Sequence, residues 1–140
     1  MIGRVLGIDL GMARTGLAIS DELGVSVRAL ENLTPKSRAE DVAFLVALCR
    51  EHDVKHVLVG VPPHGPMHKR SRGFAEALQG ALGDSARVVC VDEDRSSIEA
   101  STRLVDSGTK KRARKAALDS ESARGLVLAW LAAQPSTGSM

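Results

Sequence analysis

Apolar positions fall into short blocks whose spacing changes along the chain. Residues 5–10, Val-Leu-Gly-Ile-Asp-Leu, and 16–20, Gly-Leu-Ala-Ile-Ser, are compact apolar runs joined by Gly11-Met12-Ala13-Arg14-Thr15, which predicts a hairpin. A third strand is expected at about 26–31, after the turn Asp21-Glu22-Leu23-Gly24, and Asn32-Leu33-Thr34-Pro35 breaks the strand pattern. From Arg38 to His52 the period becomes helical, with Val42, Leu45, Val46 and Cys49 on one stripe. Val57-Leu58-Val59-Gly60 reads as a strand covered on both faces. Pro62 to Pro66 reads as a loop, Ser71 to Leu82 as a helix ended by Gly83, and Arg87 to Val91 as another buried strand. Ser96-Ser97-Ile98-Glu99 has the form of a capping box opening a helix that runs to about Asp106. Ser107-Gly108-Thr109 stops that helix and a basic stretch follows. Leu118 to Ala133 is a final helix with Ala123, Leu126, Val127 and Trp130 on one face. Three strands followed by alternating strands and helices imply an α/β layer structure with a mixed sheet. The length suits one domain over residues 1–134, with 135–140 as a flexible tail.

Composition narrows the partners. There is one Trp, two Phe and no Tyr, so the core must be aliphatic and base stacking on aromatic platforms is not the main recognition device. Cys49 and Cys90 lie far apart in apolar surroundings without metal-type spacing, as expected of reduced core residues in a cytoplasmic protein. No targeting segment is seen ahead of the first strand and no apolar stretch could span a bilayer, so no membrane partner is expected. Net charge is only +2, yet Lys110, Lys111, Arg112, Arg114 and Lys115 fall within six consecutive positions, and Lys69, Arg70 and Arg72 form a second group. Each cluster could attract phosphates or could be a solvated surface.

Asp9 is the residue that least fits its surroundings. A carboxylate inside an apolar strand is costly to bury unless something pairs with it, and Asp is depleted in strands. A bound cation accounts for it. Parallel strands present ligands at their carboxyl ends, and the strand ending at Val91 runs into Asp92-Glu93-Asp94. Asp119, four residues before Ala123, shares the apolar face of the last helix. Asp9, Glu93 and Asp119 can therefore converge, although Asp92 and Asp94 offer the same chemistry as Glu93, and Asp119 could instead serve the helix macrodipole. Three close carboxylates repel one another. Oxygen ligands suit Mg²⁺ or Mn²⁺, and two such ions can clamp the attacking water and the leaving oxygen of a phosphodiester.

These residues resemble the YqgF (RuvX) family of RNase H-like nucleases over nearly the whole chain. The similarity is carried by Leu6-Gly7-Ile8-Asp9-Leu10-Gly11, Arg14-Thr15-Gly16-Leu17-Ala18, Ser20-Asp21, Val59-Gly60-Val61-Pro62, Asp92-Glu93 with Ser96-Ser97-Ile98-Glu99-Ala100, and Leu118-Asp119-Ser120 with Ala123. The resemblance implies an RNase H-like α/β fold. Its five-stranded mixed sheet would combine an antiparallel three-strand meander with two parallel strands, with helices on both faces. It also implies a metal-dependent acidic site at Asp9, Glu93 and Asp119 that cuts nucleic acid, in pre-16S rRNA processing or Holliday junction resolution. Two departures stand out. Asp94 occupies the place of a family Arg, with Arg95 one position later, and Pro63-His64-Gly65-Pro66-Met67 replaces a Leu-Asn-Met-Asp-Gly loop.

On this reading Arg14, Thr15, Arg95, Lys110, Lys111, Arg112, Arg114 and Lys115 hold flanking phosphates, which positions a substrate without reading its sequence. Junction resolution needs paired cuts, most simply made by a homodimer. His64 and His68, on a Pro/Gly loop, are expected to face solvent, as are His52 and His56. Two rivals differ in class. A nucleotide phosphotransferase of the actin and sugar-kinase type also opens with a Gly-Ile-Asp-Leu-Gly loop, but it needs two such domains. A non-catalytic nucleic-acid-binding module on the same fold would bind without metal.

Overall fold

The computed structural model describes residues 3–92 and 111–134, with the side chains of 111–121 not described. Its elements are β1 (Arg4–Asp9), β2 (Gly16–Ser20), β3 (Val27–Ala29), α1 (Arg38–His52), β4 (Val54–Val61), α2 (Pro66–Leu82), β5 (Arg87–Asp92) and α3 (Lys111–Ala133). The five strands form one sheet in the order β3-β2-β1-β4-β5. β1 pairs antiparallel with β2, as does β2 with β3, whereas β1 with β4 and β4 with β5 are parallel. The expected three-strand meander beside two parallel strands is the one observed, and β1 is its centre.

Strand alternation sorts side chains to two faces. Leu6, Ile8, Leu17, Ile19, Val57 and Val59 pack with Val42, Leu45 and Cys49 of α1 and with Phe74, Leu78 and Leu82 of α2. Val5 and Leu58 take the opposite face and pack with Val127, Trp130 and Leu131 of α3. Helices thus cover both faces, and burying each Leu, Ile or Val contributes about 1.5–3 kcal/mol.

Local chemistry explains the element ends. Ser37 Oγ accepts from Glu40 N–H at 3.1 Å and donates to Glu40 Oε1 at 3.0 Å, which caps α1. Asp53 closes α1 in the left-handed region at φ 53°, its N–H bonding to Arg50 and Cys49 carbonyls. In β4, Lys55 is an extra residue between the pairs Arg4–Val54 and Val5–His56.

Several expectations need correction. α2 begins at Pro66, not near Ser71, because Pro suits the first helical position, where its missing N–H costs nothing. α3 begins at Lys111, so the basic stretch from Lys111 is helical; Lys, Arg and Ala are strong helix formers even without an apolar stripe. Cys49 is buried, but Cys90 is exposed on β5, because an edge strand is covered less than a central one. His56 is not a free surface residue: it lies within β4 and its ring centroid is 5.0 Å from that of Trp130. His68 is half-buried in the first turn of α2, its Nδ1 2.8 Å from the Pro62 carbonyl, whereas His64 is exposed as expected. The helix expected from Ser96 to Asp106 and the tail 135–140 lie outside the described residues.

Candidate functional site

β1, β4 and β5 run parallel, so their carboxyl ends share one edge of the sheet. Asp9 ends β1 at this edge, and Asp92 ends β5. Asp9 is at a strand end and half-buried, not deep within the strand. It makes interactions within the fold. By alternation it shares a face with Val5 and Gly7, the face covered by α3.

Gly7 explains how α3 comes so close to β1. A Cβ at Gly7 would lie 2.6 Å from Val127 Cγ2 and 2.8 Å from the Ala123 carbonyl oxygen, so only glycine permits this crossing. Val5 clusters with Val127, while Gly7 meets both Val127 and Ala123. Moving up β1 therefore means moving backward along α3. Two strand residues advance about 6.6 Å and four helical residues about 6 Å. Position 119 thus comes level with Asp9 along the two elements. Asp119 is the ninth residue of α3. The macrodipole account of this acid loses its basis, since that effect fades within the first turn.

The other acids divide by parity. Val88 packs on the α1/α2 side, Val89 and Val91 on the α3 side. Asp92 therefore takes the face opposite Asp9 and is exposed. Glu93 is the next residue in sequence and lies outside the described residues, as do Asp94, Arg95 and Lys110. Among the described residues no group of three His, Cys, Asp or Glu side chains could hold a metal ion.

The turn after Asp9 is tight. A Cβ at Gly11 would run into the Arg14 carbonyl oxygen. Arg14 is half-buried and makes interactions within the fold. Thr15 corrects an expectation: it is only 2% exposed, because its N–H and carbonyl close onto Leu33 at 2.8 and 2.9 Å. These bonds secure the loop. Lys111, Arg112, Arg114 and Lys115 occupy the first turns of α3. Position 111 precedes 119 by eight residues, about 12 Å of helix, so this end of α3 projects beyond the edge where β1 finishes.

Two features of this edge escaped the sequence reading. Gly7 was legible in principle, since glycine inside a strand often marks a close backbone approach. The contact between Arg70 Nη1 and Met12 Sδ at 3.3 Å joins residues 58 apart in sequence, and no local pattern announces it. A cavity of about 260 Å³ lies at the opposite edge, lined by Arg4, Ser20, Asp21, Arg28 and His52. Two of its charged groups are engaged internally: Arg4 donates to the His52 carbonyl at 3.1 Å. The Asp21 carboxylate accepts from Val25 and Ser26 N–H groups, and the Ser26 bond leads in lowering its pKa.

A central strand ending in an acid, a hairpin on one side, parallel strands on the other and a helix across the acid's face define an RNase H-like fold. Solved structures agree. T. thermophilus RuvC, in complex with a Holliday junction substrate, matches at a TM-score of 0.59 and 18% identity, covering 93% of this chain and 94% of that one. The Fowlpox virus Holliday junction resolvase matches at 0.59 and 14% identity, covering 94% and 99%. The chain belongs to the RuvX family, described as Holliday junction resolvase, whose model matches residues 3–133. An Anaeromyxobacter dehalogenans protein named "Putative pre-16S rRNA nuclease" is 37% identical over 133 residues, 91% of this chain and 96% of its own length. Its namesake in Myxococcus xanthus is 32% identical, over 91% of this chain and 87% of its own length. Among the described residues no helix is long and apolar enough to cross a membrane.

Proposed function

We propose that this protein is a divalent-metal-dependent nuclease that hydrolyses phosphodiester bonds of structured nucleic acid, with 5′-end processing of pre-16S rRNA in the cytoplasm as its task. The observation that carries the reading is the crossing at Gly7. It lays α3 against the face of β1 that ends in Asp9 and sets position 119 level with that acid.

Asp9, Glu93 and Asp119 form the proposed ligand set. Hard carboxylate oxygens at a half-buried strand end fit Mg²⁺ or Mn²⁺ and suit neither softer metals nor a closed Cys/His centre. When bound, such ions supply Lewis-acid stabilisation of charge developing on the phosphodiester. The chain's own part is to hold and orient. Asp9 is fixed by the pairing of β1 on both sides, and Asp119 by a helix locked onto Gly7. Lys111, Arg112, Arg114 and Lys115, joined by Lys110 and Arg95, hold flanking phosphates, and Arg14 adds a cation beside the Asp9 turn. Recognition of this kind is steeply salt-dependent.

The family description and the resolvase-like fold favour a second reading, cleavage of a four-way DNA junction. One assay separates them. Wild type and Asp9→Asn are given structured RNA, single-stranded DNA and a four-way junction, with Mg²⁺ or Mn²⁺ and with chelator. Metal-dependent cutting of RNA that disappears in Asp9→Asn is the expected result. Preferred cutting of the junction favours resolution instead. Equal binding by both proteins with no cutting of any substrate overturns the enzyme reading in favour of a binding module.

A further inference from the structure

The α1/α2 side of the Asp9 edge carries positive charge that no carboxylate among the described residues answers. Lys69 and Arg72 of α2 are exposed and Arg70 is half-buried, all within the first two turns of that helix. Arg70 reaches across to Met12, three residues after Asp9 and so at most about 11 Å from it along the chain. α1 contributes Arg38. Its guanidinium lies over Gly73, where a Cβ would come 2.9 Å from Nη2. Position 73 is one turn from Lys69 and Arg70 on the helix surface. A helix-interior glycine costs roughly 1 kcal/mol relative to Ala, and here it leaves room for a fourth cation.

None of these four cations forms an ion pair with a carboxylate among the described residues. The acids that begin α1 are otherwise engaged: Glu40 with Ser37, and Asp41 with the Lys36 N–H. Glu76 is the acid one turn along α2 from Arg72. Like charges gathered this closely oppose folding, which is the signature of a surface completed by an anion from outside.

We infer that Arg38, Lys69, Arg70 and Arg72 form a second phosphate-binding track, holding the backbone of the nucleic-acid substrate on the α1/α2 side of Asp9. The inference rests on the nuclease reading and extends it. The start of α3 and this track flank Asp9 from opposite layers of the sheet, so a substrate strand would be held on both sides of the cut. Contact is to phosphates alone, so the track serves RNA and DNA alike.

The test uses Asp9→Asn protein to prevent cutting, with a labelled RNA hairpin and a labelled four-way DNA junction as probes. Binding is measured between about 50 and 200 mM salt. Three proteins are compared: the parent, the K69A/R70A/R72A triple, and a charge-matched R50A/K55A/R87A triple at the far edge. Each contacted phosphate contributes about 0.7–0.9 to the slope of log affinity against log salt. The track triple is expected to lose about 2–3 units of slope and more than about tenfold in affinity, while the far-edge triple loses under one unit. Lys69→Glu, a single exposed change, should reproduce part of the loss should the triple prove unstable. Equal losses in both triples, or none in the track variants, overturn the inference while leaving the nuclease reading intact. No binding by the parent to either probe overturns both.

Discussion

Gly7 of β1 and Ala123 of α3 meet backbone to backbone, with 2.8 Å between the position of an added Cβ and the Ala123 carbonyl oxygen. A rigid backbone stands in the way, so the helix must move if a side chain is added. Gly7→Ala is expected to cost about 1–3 kcal/mol by overpacking, read from denaturant unfolding. It should also lower cleavage in the protein that remains folded, because lifting α3 carries position 119 away from Asp9. A Gly7→Ala enzyme with unchanged stability and activity would show that the Gly7 crossing does not position α3.

Carboxylate repulsion and metal binding should oppose each other at Asp9. On the proposed ligand set, Asp9→Asn without metal removes one of three neighbouring charges and is expected to raise Tm. With Mg²⁺ or Mn²⁺, wild type should gain stability, by about 2.7 kcal/mol at a hundredfold excess over Kd, and the variant little. Cleavage should fall by more than about 100-fold, beyond what loss of outer-shell support alone costs. Thermal melts with and without chelator measure the first two effects. Identical metal-induced shifts in both proteins would place the ion elsewhere.

His56 should make the fold sensitive to mild acid. Burial, then the neighbouring Arg87 charge, lower its pKa below the ordinary 6.5, and its buried Nδ1 has no hydrogen-bond partner among the described residues. The unfolded chain therefore takes up this proton at a higher pH than the fold does. Above about pH 6.5 no penalty exists. As pH falls from there toward the folded value the unfolded chain is progressively favoured, and below that value the penalty is constant. His56→Phe keeps a ring against Trp130 and removes the proton. The Tm difference between the variant and wild type should thus widen as pH drops through this window. A constant difference would contradict the assignment.

The two thiols should behave differently. Cys49 is buried, and burial pushes its thiol up to about 11, whereas Cys90 is exposed on β5. Because the thiolate is the reacting form, a thiol reagent at neutral pH is expected to modify one cysteine in the folded protein and two after denaturation. Cys90→Ser should abolish the folded-state reaction. Rapid modification of Cys49 without denaturant would mean that α1 opens readily from the sheet.

Local signals made much of the fold legible. The helix bounds Arg38–His52 were readable because its stripe is continuous and both ends are capped by neighbours, Ser37 with Glu40 and Asp53 with Arg50. The strands were readable from apolar runs, and Asp9 stood out as the acid among them. The starts of α2 and α3 were not, because Pro66 reads as a breaker until it is seen at the first helical position. Lys111 to Lys115, for their part, carry helix propensity without an apolar stripe.

Acids, basic clusters and the succession of strands and helices along the chain are properties of residues and their near neighbours, and the sequence alone determined them. Tertiary packing decided which face Asp9 takes, how α3 reaches it over Gly7, and that Thr15 is buried against Leu33. It likewise brought Arg70 to the turn after Asp9 and His56 to Trp130. The reason is one of range. Caps and periodicity act over about four residues, whereas these contacts join residues 18 to 116 positions apart and exist only once both faces of the sheet are covered.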